Sequence, residues 1–251
     1  MQYKSWNLTI KNNFNNAANT YDNYSVIQKY FSKQIIMSLN KLKIPKGEWF
    51  DLGCGTGYLA DLIESKYKNQ NVGRIDFSKN MLLKNKKNSR KILWDLNFGL
   101  PHIVSDSSLF VSSFCLHWLN KPEKAIKQWF EKLAKGGFLI IAFPAQKSFP
   151  EWRETCMKNN FEYSGIKFPN PNLLKSNFKE NEIYSINEYT YTESFTNTYK
   201  LFKSIVNVGA QSSKSARKTV KELKMMQKEW PKDSHQKVNL TWNINIFTIQ
   251  K

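Results

Sequence analysis

Asp51 stands two residues ahead of three closely spaced glycines, Gly53, Gly55 and Gly57, in the stretch WFDLGCGTG (residues 49–57). Glycines spaced in this way let a chain turn tightly and let a ligand reach backbone N–H groups. A helix starting directly behind them turns its positive end toward the same spot. The dinucleotide fingerprint is GxGxxG, whereas here the pattern is GxGxG behind an acid, and no Gly-Lys-Ser/Thr follows to make a triphosphate loop. A carboxylate in that place can accept hydrogen bonds from an amino group, which a pyrophosphate cannot donate. A second acid, Asp76, ends the apolar run NVGRID about 20 residues on, where a carboxylate can accept from both hydroxyls of a ribose. A third, Asp95, follows KILW and can accept from an adenine amino group.

For these acids to share one ligand, each must close a strand of the same sheet. The sequence supports that layout. Val26, Tyr30, Phe31, Ile35 and Leu39 recur at helical spacing within residues 12–42, and Pro45 and Gly47 end the pattern. EWFDL reads as a buried strand, residues 57–67 as a helix, NVGRIDF as a strand, residues 79–88 as a helix and KILWDL as a third strand. SLFVSSFCLHW begins with a fourth strand. Pro122 opens an amphipathic helix, PEKAIKQWFEKLAKGG, expected to stop at its paired glycines. FLIIAF is apolar throughout, as a strand covered on both faces should be. Strands alternating with helices over the first 145 residues predict a parallel sheet with helices on both faces. Residues 146–180 carry Pro150, Pro169 and Pro171 and no strand pattern, and are expected to form an inserted helical lid. Beyond them come a strand over residues 183–195, a helix near 198–208, a basic helix over 214–227 and an alternating strand over 238–249 that reads as antiparallel. A ligand with an amino group, a ribose and an adenine, and no phosphates, matches the three acids. S-adenosylmethionine fits that description.

The 251 residues are 41% hydrophobic, with 17 Phe, 11 Tyr and 8 Trp, enough for one α/β domain with a packed core. No stretch is long and apolar enough for a membrane span, and residues 1–13 lack the apolar centre of a secretory signal. Cys54, Cys115 and Cys156 show no CxxC spacing, which predicts a reducing cytoplasm without a disulfide framework or a zinc site. The net charge of +18 comes almost wholly from lysine, since Arg74, Arg90, Arg153 and Arg217 are the four arginines. This charge reads equally as a solvated, AT-biased lysine surface or as a surface for an acidic partner.

FDLGCGTG, IDFSKNM and VSSFCLHW resemble the successive motifs of class I S-adenosylmethionine-dependent methyltransferases. FNNAANTYDNYSVIQKYFSKQI, CLHWLNKPEKAIKQWFEKLAKGG, SFPEWRETC, KSIVNVGAQ and the tail EWPKDSHQKVNLTWNINIFTIQK narrow the resemblance to the malonyl-acyl-carrier-protein O-methyltransferases of biotin synthesis. It covers nearly the whole chain as a single domain, residues 1–251. The tail departs from the family by lacking its usual glycine and proline before the last strand, with Gln236 and Asn239 there instead. The resemblance implies an α/β, Rossmann-like fold: a mostly parallel seven-stranded sheet with an antiparallel last strand. It implies cofactor contacts at Asp51, Gly53, Gly55, Gly57, Asp76, Phe77, Met81, Asp95 and Leu96. It implies methyl transfer to the free carboxylate of a malonyl group carried on the phosphopantetheine arm of an acidic carrier protein. No metal is needed, because a carboxylate is already ionised at neutral pH. Arg153 is the expected partner of that carboxylate, since a guanidinium forks onto two oxygens. Tyr21 is expected over the cofactor or acceptor and His117 at the rim of the crevice, with Trp118 as a wall. Lys214, Arg217, Lys218, Lys221 and Lys224 form the patch expected to meet the carrier protein.

Three other readings share these motifs. An RNA methyltransferase would suit the charge, yet SFCLHW is not the Asn/Asp-Pro-Pro-Tyr/Phe segment of base-methylating enzymes, so nucleic acid is not the expected partner. Relatives with a similar LHW motif modify protein arginine. A non-catalytic S-adenosylmethionine-binding factor would keep the same acids.

Overall fold

A computed structural model describes residues 2–211 and 218–251, with side chains from residue 6 onward. Seven strands form one sheet in the order β3-β2-β1-β4-β5-β7-β6: β1 (Trp49–Leu52), β2 (Val72–Asp76), β3 (Lys91–Leu93), β4 (Ser107–Ser113), β5 (Leu133–Pro144), β6 (Ile183–Phe195) and β7 (Val238–Gln250). The pairs among β1 to β5 are parallel, and β7 runs antiparallel between β5 and β6. This is the mostly parallel sheet with an antiparallel last strand that the sequence implied.

The period of two along each strand sorts side chains into two cores. Phe138, Ile140 and Ala142 of β5 join Trp49 and Val72 on one face. Leu139, Ile141 and Phe143 join Phe50, Leu52, Ile75 and Phe110 on the other. The helices are α1 (Gln2–Ala17), α2 (Tyr21–Tyr24), α3 (Val26–Leu39), α4 (Tyr58–Lys66), α5 (Lys79–Lys84), α6 (Pro122–Glu131), α7 (Pro150–Lys158), α8 (Pro171–Lys175), α9 (Thr198–Asn207) and α10 (Val220–Glu229). Ile27, Phe31, Ile35 and Leu39 of α3, with Leu59, Ala60 and Ile63 of α4, cover the first face. Ala125, Ile126 and Trp129 of α6 cover the second.

Several boundaries differ from the sequence reading. The first helical segment begins at Gln2, ten residues earlier than expected, and breaks between Ala17 and Tyr21 and again at Ser25. Helix α6 stops at Glu131, and Gly136 and Gly137 lie inside β5. A Cβ on Gly137 would come within 2.9–3.1 Å of the carbonyls of Ala134, Ser107 and Ser108. Rather than stopping a helix, Gly137 therefore serves a close backbone approach beside the irregular β4–β5 register at Ser107 and Leu109, and Gly136 supplies a positive φ of 76°. Residues 146–180 contain α7 and α8. Lys214 and Arg217 of the expected basic patch lie outside the described residues, and the helix found there, α10, begins at Val220. Among the described residues no helix is long and apolar enough to cross a membrane.

Candidate active site

The glycine loop leaves β1 at the carboxyl edge of the sheet and enters α4. Gly53, Gly55 and Gly57 all have positive φ (74°, 53° and 87°), a region costly for any residue with a side chain. The Gly53 and Cys54 N–H groups donate to the Ile75 carbonyl, and the Gly57 N–H to the Cys54 carbonyl. The Gly55 N–H donates to Asp76 Oδ2 at 2.9 Å.

Their surroundings separate the three glycines. A Cβ on Gly53 would strike the Cys115 side chain, and one on Gly57 would strike Asn85. A Cβ on Gly55 would meet nothing within 4 Å. Gly55 thus borders open space, and that space is a crevice lined by Tyr21, Gly53, Gly55, Asp76, Phe77, Met81, Asp95 and Leu96 among the expected residues. Phe14, Trp94, Asn97, Ser113, Phe114, Cys115, Trp118 and Leu119 complete the lining. Two expected cofactor contacts are not on it. Gly57 is bare because of Asn85. Asp51 points with Trp49 toward the α4 face, where the Ala60 N–H and the charge of Arg74 act on it. Burial nevertheless holds Asp51 up at about 7, and its Oδ2 has no hydrogen-bond partner.

Asp76 accepts from Ser78 N–H (2.8 Å, Oδ1) as well as from Gly55. Burial raises its carboxyl to about 6, against the pull of those backbone donors. Asp95 Oδ1 accepts the backbone and side-chain N–H groups of Asn97 at 2.9 and 2.8 Å, which caps a 3-10 turn over Leu96–Phe98.

Four crevice residues, Phe14, Tyr21, Phe114 and Trp118, also line a second, larger cavity of about 730 Å³. Phe149, Trp152, Phe168, Phe202 and Trp242 wall it, and among the described residues Glu193 and Lys218 are the charged ones on its lining. Phe14 meets Trp118 edge to face, with ring centroids 5.2 Å apart. Tyr21 sits at the junction; burial, with Asp76, Asp22, Cys115 and Asp51 nearby, raises its phenol further above its ordinary value, so it stays a donor. His117 lines the larger cavity, its Nδ1 is buried without a partner, and burial lowers the imidazole to about 3. It is neutral at physiological pH. Arg153 lies on neither lining: its Nε donates to the Ser148 carbonyl at 3.2 Å and its guanidinium lies 4.3 Å from the centre of the Tyr163 ring. Arg153, the expected partner of an acceptor carboxylate, here engages residues 148 and 163 instead of either lining.

Sequence reasoning missed the aromatic walls. Trp242 had been seen as one position of an alternating strand, and Phe114, at φ +56°, breaks strand geometry just past β4. It also missed Asp22, which accepts from the Thr56 hydroxyl at 2.7 Å and ties the helix carrying Tyr21 to the glycine loop.

The sheet order, the glycine loop behind β1 and the acids at the ends of β2 and β3 are those of the class I methyltransferase fold. Residues 50–141 match the family model of a methyltransferase domain. Across most of its length the chain is similar to malonyl-[acyl-carrier protein] O-methyltransferases. The protein of that name from Buchnera aphidicola is 28% identical over 227 residues, covering 87% of this chain and 88% of its own. The one from Bacillus cytotoxicus is 26% identical over 220 residues, covering 81% and 76%. Among solved structures, the YcgJ protein of Bacillus subtilis shares the fold with a TM-score of 0.60 at 13% identity, covering 88% of this chain and 98% of its own.

Proposed function

We propose that the chain methylates the free carboxylate of a malonyl group on acyl carrier protein, giving the ester that enters biotin synthesis. The observation that carries this reading is the joining of two chambers at Phe14, Tyr21, Phe114 and Trp118. One is a crevice with the features of an adenosyl site, and the other is a large aromatic chamber suited to a short acyl thioester at the end of a long arm.

The crevice residues fit S-adenosylmethionine. Gly55 leaves ligand space at its Cβ position, and the buried Ser113 Oγ on the same lining has no partner. Asp76 would accept from the ribose and Asp95 with Leu96 would meet the adenine. Phe77 and Met81 would pack beside them, and Gly53 and Gly55 would lie against the amino-acid end. The cofactor supplies an activated methyl group on a sulfonium.

The chain's own residues then have three tasks. The aromatic walls exclude water and leave a carboxylate poorly solvated, so a chamber of this kind suits the neutral ester better than the starting anion. Tyr21, held as a phenol at the junction, donates to one acceptor oxygen and leaves the other directed into the crevice. His117, neutral, offers a second polar contact without introducing an acid or base. Orientation of this kind is worth several kcal/mol, and no proton has to be moved. Residues 146–180 act as the lid, because Phe149, Trp152 and Phe168 come from them.

The partner is an acidic carrier protein in the cytoplasm. Lys218 is largely buried, with 10% of its side chain exposed, and pairs with Glu222. Docking falls instead to Lys221, Lys224 and Lys228 of α10, which surround exposed Val220 and Met225 beside the cavity-lining Leu223. The test is an incubation of purified protein with S-adenosylmethionine and malonyl-carrier protein, read by mass for the addition of one methyl. No methyl on the carrier, with methyl instead on an arginine peptide or RNA, overturns the reading, as does cofactor binding without turnover on any of them.

A further inference from the structure

Beneath the glycine loop lies an ionic cluster around one buried guanidinium, which the reaction itself does not use. Arg74, in β2, is 0% exposed. Its Nη2 donates to Asp61 at 2.7 Å and Glu64 at 2.6 Å, both on α4. Its Nη1 donates to Asn85 Oδ1 at 3.3 Å. A guanidinium has no acceptor, so the atom of Asn85 that faces it must be the oxygen. This fixes the amide's orientation and turns its Nδ2 to the Gly55 carbonyl (2.8 Å) and the Met81 carbonyl (3.0 Å). Gly55 is thereby held on both sides, through its N–H by Asp76 and through its carbonyl by Asn85. Gly57 fits the same design, since a Cβ there would lie 2.1 Å from Asn85 Oδ1 and 2.9 Å from Arg74 Nη1.

We infer that Asn85, oriented by Arg74, is a positioning residue that sets the Gly55 peptide against which the cofactor lies. The cofactor part rests on the function proposed above. Asn85 touches neither chamber. It joins the loop between β1 and α4 to the end of α5, so the crevice floor is set from behind by a charge cluster facing α4. Asn85→Asp separates this role from general stability. The carboxylate keeps, and strengthens, the bond to Arg74, but it removes the donor to Gly55 and sets an anion against that carbonyl.

The experiment measures amide hydrogen exchange in the glycine loop of the apoprotein together with cofactor affinity by calorimetry, for the parent, Asn85→Asp and Asn85→Ala. The expected result is faster exchange at residues 53–57 by about tenfold, the equivalent of one hydrogen bond, with exchange in β4 and β5 unchanged. The dissociation constant for S-adenosylmethionine rises by a similar factor while KM for the acyl acceptor stays put. Loop exchange at the parent rate in both variants overturns the inference, as does faster exchange spread evenly over the sheet. A parent protein that binds no S-adenosylmethionine would instead refute the cofactor reading, and loop exchange would still decide the role of Asn85.

Discussion

The contrast between Gly55 and Gly57 gives the most direct test of where the cofactor lies. Both have positive φ, so alanine at either carries a backbone penalty of roughly 1–2 kcal/mol. Only at Gly57 does the added methyl also collide, 2.1 Å from Asn85 Oδ1 and 2.7 Å from its Cγ, within a buried network that holds Arg74. Displacing Asn85 would leave the Arg74 guanidinium short of a partner, a further cost of about 1–3 kcal/mol. Gly55→Ala should therefore melt about 2–8 °C below the parent, and Gly57→Ala well below that, for a chain of this size. Cofactor affinity should move the other way. The Gly55 methyl enters the open space of the crevice, so Gly55→Ala should stay folded and lose S-adenosylmethionine binding by at least about tenfold, or 1.4 kcal/mol. Differential scanning fluorimetry and isothermal titration calorimetry on the two variants read both quantities. A folded Gly55→Ala that binds the cofactor within about twofold of the parent would show that the ligand does not lie on that face, and the site would have to be moved.

The proposed role of Asp76, accepting from both ribose hydroxyls with both oxygens, requires its carboxylate form. With its carboxyl raised to about 6, cofactor affinity should be level above that pH and weaken by about tenfold for each unit below it, since the free protein takes up a proton that binding must expel; calorimetry showing flat affinity down to about pH 5 would contradict this. His117 is held near 3, so kcat at saturating cofactor should show no ionisation near pH 6.5, and an acidic limb there that disappears in His117→Asn would refute its neutral role. Tyr21→Phe should lower kcat by roughly ten- to a hundredfold, the loss of one hydrogen bond to a charged group, and unchanged turnover would remove Tyr21 from the acceptor. Reversing Lys221, Lys224 and Lys228 together to Glu should raise KM for malonyl-carrier protein and spare malonyl-coenzyme A, while equal effects on both would remove electrostatic steering.

The scaffold was readable because its strands are unambiguous. FLIIAF is apolar on both sides and becomes a strand between two cores, and the alternation around Trp242 becomes antiparallel β7. Helix α1 was cut short because its opening turns, QYKSWNLTI, place polar residues between Trp6, Leu8 and Ile10, and the helix is slightly polar on average. The site was legible where strand ends dictate it: Asp76 and Asp95 lie on the crevice because β2 and the turn after β3 end there. Asp51 is off the crevice lining, since strand alternation, invisible in a four-residue window, directs it to the α4 face. Arg153 shows a different limit. A scarce residue type beside an expected lid suggested substrate binding, but nothing in the local sequence reveals that the Tyr163 ring and the Ser148 carbonyl engage it. The larger cavity is assembled from Phe14, Phe114, Phe168, Phe202 and Trp242 across more than two hundred positions, and no short window contains it.

Helices α1 and α2 are fastened to the domain by short polar side chains as well as by Phe14 against Phe77 and Trp118. Asn15 Oδ1 accepts from the Ser78 hydroxyl (2.7 Å) and the Asn80 N–H (3.2 Å), and Asp22 takes the Thr56 hydroxyl. The two sheet-covering cores draw on neither helix. The roof that carries Phe14 and Tyr21 thus lies outside the two cores of the frame it covers. A lineage or an engineer that recuts this piece would leave both cores of the sheet as they are, but would reshape the two chambers together, because Phe14 and Tyr21 line both.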